Sequence, residues 1–367
     1  MLLGGVMSAN AQTADPINVV TTAVPFLRIS PDARAGGMGD AGIATAPDAN
    51  ASFWNLGKTV FAKNTSSVAL TYTPWLKDLG LNDVYLATMG GYYKLDDQQA
   101  ISLGLRYFSL GSIQFTDASG TPLNSGRPRE FSIDLGYSRK LSAKSGVGIA
   151  LRYISSDLAN GASSGGTTYK KGSSVAGDLH YFHNGAKANG AGFNWGVTLS
   201  NLGAKISYTN DANQKDYIPA NFGLGGAYTK VFDQDNKLTF ALDINKLLVP
   251  TPADISDSAG LADYRSKGVV GSWFSSFGDA PGGFSEELKE LSYSLGAEYT
   301  YKDQFSFRAG YFYENPTKGN RKYFSVGAGL NYNVFGLNFA YLLPSGSGTN
   351  RNPLSNTLRF SLVFNVK

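Results

Sequence analysis

The chain has 367 residues, no cysteine, and 32 Lys and Arg against 28 Asp and Glu, a formal net charge of +4. Charged residues make up only 16%, Phe, Tyr and Trp 13%, and Gly 44 positions. This balance disfavours a disordered chain, a disulfide scaffold, a coiled coil and a nucleic-acid footprint.

Mean hydropathy is −0.17, and no stretch reaches the 18 or so apolar residues of a transmembrane helix. A low-charge chain rich in glycine and aromatics has another route into a bilayer. A closed β-barrel satisfies every backbone hydrogen bond between strands, and its alternating faces average to neutral hydropathy.

The N-terminus reads as an export signal: the apolar run Met1–Met7 precedes Ala9-Asn10-Ala11, a small-x-small cleavage pattern with Gln12 as the mature start. No basic residue precedes the run, so 1–11 is expected to be the remnant of a longer signal peptide. Residues 16–62 do not alternate, yet carry apolar residues such as Phe26, Leu27, Phe53 and Trp54. They are too many for a tail. The region 12–62 is therefore expected to fold into a lumen as a plug ahead of a barrel over 63–367.

Within 12–62, Gly37-Met38-Gly39-Asp40-Ala41-Gly42 spells G-x-G-x-x-G. A dinucleotide site would need a strand before it and a helix after it. Pro31 and Asp32 precede it instead, so the glycines are read as permitting tight turns.

From residue 67 onward, apolar and small or polar residues alternate over segments of about ten. In 129–141, Phe131, Ile133, Leu135 and Tyr137 face Ser132, Asp134, Gly136 and Ser138. The same template fits 67–76, 84–94, 99–110, 145–157, 171–183, 193–202, 221–229, 237–248, 291–302, 305–314, 323–333, 335–343 and 356–366. That makes fourteen strands. The connections sort by parity. Those after odd strands are 77–83, 111–128, 158–170, 203–220, 249–290, 315–322 and 344–355, mostly long. Those after even strands are mostly short. Long extracellular loops, short periplasmic turns and an even count describe a bacterial outer-membrane barrel with both termini periplasmic.

Eight charged residues fall on the inward set: Arg106, Asp134, Arg152, Asp178, Asp243, Glu298, Arg308 and Arg359. On the lipid face each Arg would cost about 2–4 kcal/mol at the midplane. Facing a common interior, four acids and four bases can pair, and a structural role is expected. Tyr72, Trp75, Tyr92, Tyr93, Tyr299, Tyr301 and other aromatics near strand ends suggest interfacial girdles. His180 and His183 are the only histidines. Without cysteine or a nucleophile–base spacing, they indicate no metal site, cofactor or catalytic group.

Loop 249–290 spans 42 residues and is not composed like a disordered segment. Trp273, Phe274, Phe277 and Phe284 precede Ser285-Glu286-Glu287, which reads as a capped helix start. Exposed aromatics on such a loop mark a partner surface, or else pack back as a lid.

Several long blocks resemble the PorV family of the type IX secretion system: TAVPFL at 22–27, SPDARAGGMGD at 30–40, LRYFSLG at 105–111, ALDINKLLVP at 241–250, SSFGDAPGGFSEELKE at 275–290 and AGYFYEN at 309–315. One departure is Asn55-Leu56-Gly57, where the wider group often reads Asn-Pro-Ala. The resemblance implies a FadL-like barrel of fourteen strands with an N-terminal plug, and a non-enzymatic role without cofactor. It implies association with the translocon barrel SprA (Sov) in outer-membrane lipid, and acceptance of cargo carrying a C-terminal signal domain. Cargo would then pass to an attachment complex that includes PorU. The alternative that the fold permits is a FadL-like channel for hydrophobic small molecules.

Overall fold

The computed structural model describes residues 19–366 apart from 78–79, 118, 160, 165–166, 212–213, 253–257 and 344–355. The expected signal remnant 1–11 lies outside these residues.

The strands are β1 (Ser66–Pro74), β2 (Val84–Lys94), β3 (Gln99–Leu110), β4 (Ile113–Thr116), β5 (Pro122–Gly126), β6 (Arg129–Lys140), β7 (Ser145–Asp157), β8 (Ser163–Ser164) and β9 (Thr167–Thr168). They continue with β10 (Gly172–His183), β11 (Gly192–Gly203), β12 (Asn221–Val231), β13 (Asn236–Leu247), β14 (Ser292–Tyr301), β15 (Phe305–Tyr313), β16 (Lys322–Tyr332), β17 (Phe335–Leu343) and β18 (Leu358–Val366). Among the described residues, fourteen of them close one antiparallel barrel, and β4–β5 and β8–β9 form separate hairpins. Closure runs from Ser66 opposite Val366 to Tyr72 opposite Phe360. The two hairpins lie within connections expected to be plain loops.

Alternation sets the two faces. On β7, Ile149, Leu151 and Tyr153 are exposed to the surrounding membrane, while Ala150, Arg152 and Ile154 are buried inside. In lipid this outer face meets its own chemistry, and strand pairing leaves no open edge. Register breaks once on β10, between Gly177 and Leu179. Opposite the break Asn201 adopts φ 58, a left-handed conformation that Asn tolerates. Its backbone N–H donates to Asp178 at 2.7 Å.

Two of the girdle expectations are corrected. Trp75 and Tyr92 are buried inside, whereas Tyr72 and Tyr93 face outward. Trp75 lies just past β1 and turns inward onto Phe108, edge to face at 6.4 Å. Tyr92 falls on the inward phase of β2.

The segment from Val24 to Ala62 packs against inward-facing residues of the barrel strands, while Val20 packs on Tyr217, Val249 and Tyr264 of the connections. The segment forms a 3₁₀ turn at Pro25–Arg28, helix α1 (Ala33–Gly36), helix α2 (Ala51–Trp54) and a 3₁₀ stretch at Leu56–Phe61. Asp32 caps α1 by accepting the Ala35 N–H at 2.9 Å and also takes the Trp54 indole N–H at 2.6 Å. Val24, Phe26, Met38 and Leu56 are almost wholly buried. Val24 and Phe26 join Trp75, Leu86 and Phe108 in one apolar cluster.

The glycine-rich stretch packs backbone against backbone. A Cβ added to Gly310 on β15 would sit 1.9 Å from the Gly39 nitrogen, and one on Gly296 2.6 Å from the Met38 carbonyl oxygen. Gly39 itself has φ +65. The G-x-G-x-x-G run thus serves close approach to the barrel wall.

Candidate functional site

Two regions concentrate the charged and aromatic residues singled out from the sequence: the barrel interior and the 249–290 connection.

The eight inward charges are all buried. Arg152 bridges two strands: its Nε donates to Asp134 at 2.5 Å and its Nη2 to Asp178 at 2.9 Å, while Nη1 meets Asn201. Asp134 and Arg152 are direct cross-strand partners, as are Glu298 and Arg308, whose Nε–Oε2 distance is 2.6 Å. The other three hold the inner segment and do not pair with one another. Asp243 accepts the backbone N–H groups of Gly42 and Ile43 at 2.7 and 2.8 Å. Arg106 donates to the Leu27 carbonyl at 2.7 Å and lies over the Phe53 ring. Arg359 reaches Asp40 at 3.5 Å. Sequence reasoning lacked the inner segment's contribution: Arg34 donates to Glu298, and Asp40 receives both Arg359 and the Tyr323 hydroxyl.

His180 accepts the Leu56 N–H at 2.8 Å, a structural contact. His183 stacks on Trp195. Among the described residues no group of three or more His, Asp or Glu is arranged to hold a metal.

The long connection carries three helices where one start was expected: α3 (Ser258–Ser266), α4 (Val269–Ser275) and α5 (Phe284–Lys289). Ser285 is not the cap of α5. Gly283 occupies that position with φ 69, and Ser285 lies in the first turn. The acids Glu286 and Glu287 still fill that turn.

The connection is clamped to the barrel rim. Lys246 at the end of β13 binds Glu287 at 2.8 Å and Glu290 at 2.6 Å, and Lys318 binds Glu286 at 2.5 Å and Glu290 at 3.0 Å. Tyr217 donates to the Lys267 carbonyl at 2.9 Å, and Lys205 to the same carbonyl at 2.7 Å. Arg265 pairs with Asp216 at 3.0 Å. Burial raises the Asp279 carboxyl, partly offset by its hydrogen bond from Thr251. Burial likewise lowers the Lys205 ammonium. The lysine contacts were missed because Lys246 and Lys318 lie outside the loop sequence. The acids were read only as a helix start.

Against this clamp, the aromatics face outward. Phe274 is 75% exposed, Phe277 52% and Phe284 77%. Trp273 is partly buried. Phe277 meets Phe222 of β12 edge to face at 6.0 Å. Below, the outer wall across β11–β16 holds an apolar groove of about 810 Å³, lined by Trp195, Tyr228, Phe240, Leu242, Leu295 and Tyr311 among others. Loop aromatics and groove share the same flank of the barrel.

Residues 11–254 match a family model described as type IX secretion system protein PorV. No curated protein sequence matches the chain. Solved structures give the fold. The toluene transporter TbuX of Ralstonia pickettii is 11% identical with a TM-score of 0.56, over 92% of this chain and 99% of that one. The toluene transporter TodX of P. putida is 12% identical with a TM-score of 0.52, over 92% and 99%. A Pseudomonas aeruginosa FadL homologue is 11% identical with a TM-score of 0.50, over 95% and 100%. The architecture is that of the FadL-like outer-membrane barrels.

Proposed function

The chain belongs to the PorV family of type IX secretion system proteins, and from that premise we propose that it is a non-enzymatic carrier in the outer membrane. In this reading it binds the translocon barrel SprA (Sov), accepts cargo with a C-terminal signal domain, and delivers it to the attachment complex that includes PorU. The long connections are extracellular and both termini periplasmic. Residues 19–62 plug the lumen, residues 12–18 of the expected plug lying outside the described residues, and the eight inward charges are structural.

One observation carries this reading. Phe274, Phe277 and Phe284 stay exposed on a connection that buried ion pairs tie to the barrel rim. A lid would turn these rings inward onto the barrel mouth. Rings held outward on a fixed platform, above an apolar wall groove on the same strands, suit a partner that is itself embedded in the membrane.

Two of the fold neighbours are toluene transporters, which favours the alternative, a channel for hydrophobic small molecules. The interior argues against it. The cavity beside the inner segment is about 130 Å³, and Arg28, Arg106 and Arg321 are among its lining residues. Its wall is mixed, with Leu27, Ile29 and Phe53 beside the three guanidinium groups, unlike a wholly apolar conduit.

The test replaces Trp273, Phe274 and Phe277 with Ser and purifies the complex from mild detergent. Loss of SprA and cargo from a barrel that keeps its heat-resistant gel shift is the expected result. Retention of both at wild-type yield would move the docking surface elsewhere.

A further inference from the structure

The interior cavity has a chemistry that the secretion role does not use. It lies between the inner segment, β3 and strands β11–β15. Three guanidinium groups line it: Arg28, Arg106 and Arg321. Hydroxyl and amide groups, among them Ser200, Ser294 and Asn245, complete the wall.

Local charge does not balance around Arg28 and Arg321. Both bind the single carboxylate of Glu314, Arg28 through Nη2 at 3.2 Å and Arg321 through Nε at 2.9 Å and Nη2 at 3.0 Å. Both residues line a cavity whose one lining carboxylate, Asp40, is already taken by Arg359 and Tyr323, and their side chains stay 28% and 30% exposed. Arg106 spends Nη1 on the Leu27 carbonyl, and its Nε is buried without a hydrogen-bond partner. The nearby acids Asp134 and Asp178 are bound by Arg152 and carry one surplus negative charge, which offsets Arg106. One positive charge at the Arg28–Arg321 pair is left over. Asp32 does not answer it, since the Trp54 indole and the Ala35 N–H hold that carboxylate.

We propose that this cavity binds a small monoanionic oxyanion, a short carboxylate or dihydrogen phosphate. Guanidinium forks are matched to both shapes, and a partly desolvated site strengthens such charge-assisted bonds. The volume of about 130 Å³ admits such an ion and excludes a long acyl chain.

The test uses the full chain purified in detergent without phosphate, titrated calorimetrically with sodium phosphate at pH 6, sodium acetate and sodium octanoate. Saturable binding of phosphate or acetate is expected, at least tenfold weaker in Arg28→Gln/Arg321→Gln. Should that double variant lose its heat-resistant gel shift, Asn245→Asp replaces it. Asn245 accepts from Asn221 through Oδ1, so the carboxylate keeps that contact while adding a negative charge to the wall. It too is expected to weaken binding at least tenfold. The proposal falls if neither ion binds saturably. It falls equally if a folded variant binds as wild type, or if octanoate binds more than tenfold tighter than acetate. None of these outcomes depends on SprA or cargo.

Discussion

Arg34 and Glu298 stand 264 residues apart in the chain and meet in a two-pronged ion pair, Nη2 to Oε1 at 2.8 Å and Nε to Oε2 at 3.0 Å. Glu298 holds Arg308 on the neighbouring strand at the same time, and Arg34 also holds Asp48 at 2.9 Å. One carboxylate of the wall thus ties the inner segment to β14 and β15. Arg34→Ala removes one prong set but leaves Glu298 with Arg308, so the loss is about 1–3 kcal/mol. Limited proteolysis of the folded barrel should then cut within 19–62, where the wild type resists. Equal resistance would mean that the backbone contacts alone hold the segment.

Those backbone contacts have their own test. Gly310 and Gly39 approach so closely that a Cβ on Gly310 has no room. Gly310→Val should displace the 37–42 stretch and raise single-channel conductance in planar bilayers, while the β15 pairing tolerates a β-branched residue. Unchanged conductance in protein with a normal heat-resistant gel shift would show that the segment does not seal the lumen.

The barrel was legible because period-two alternation encodes both faces of every strand, as on β7 with Leu151 outward and Arg152 inward. The inner segment was legible only as a length of non-alternating apolar chain. Its pairing with the wall was not, because Arg34–Glu298 and Gly42–Asp243 join residues at least 200 positions apart. Within the 249–290 connection, composition flagged the aromatics. The lysines that fix their platform lie on β13 and beyond β15, where no local pattern ties them to the loop.

Arg152 joins Asp134 and Asp178, donating to each. Removing it leaves Asp134 buried without its charge partner and Asp178 with only the Asn201 N–H, at a cost of about 3–5 kcal/mol. Arg152→Ala should therefore lose heat-resistant migration at a lower temperature than wild type, with secretion in intact cells reduced no more than folded protein is. A well-folded variant that abolished secretion would assign this cluster a transport role.

Glu314 gives a pH signature. Burial alone would raise its carboxyl, but the hydrogen bonds and charge of Arg321, together with Arg28, outweigh it and hold it below the ordinary 4.5. A folded value below the unfolded one contributes stability above about pH 4.5, lost as pH falls through the folded value. The thermal midpoint of wild type should drop more steeply below pH 4.5 than that of Glu314→Gln. Parallel profiles would show that this ion pair contributes nothing to the linkage.

The last prediction separates the platform from the surface it presents. Lys246 is buried at the end of β13 and binds both Glu287 and Glu290 without contacting α4 through a hydrogen bond. Lys246→Met keeps the bulk of the stem and removes the charge. Glu290 retains Lys318, and Glu287 retains the Ala280 N–H at 2.8 Å, so the variant should fold. Without the lysine, two neighbouring carboxylates face each other across a buried space, and the connection should loosen. Proteases should then cleave within 258–290, and co-purification of SprA should fall several-fold although Phe274, Phe277 and Phe284 are intact. If binding falls while the loop stays resistant, Lys246 acts through the Phe277 ring, which its ammonium faces at 6.0 Å. If proteolysis rises while binding holds, the rings dock without a rigid platform, and the clamp serves only the barrel.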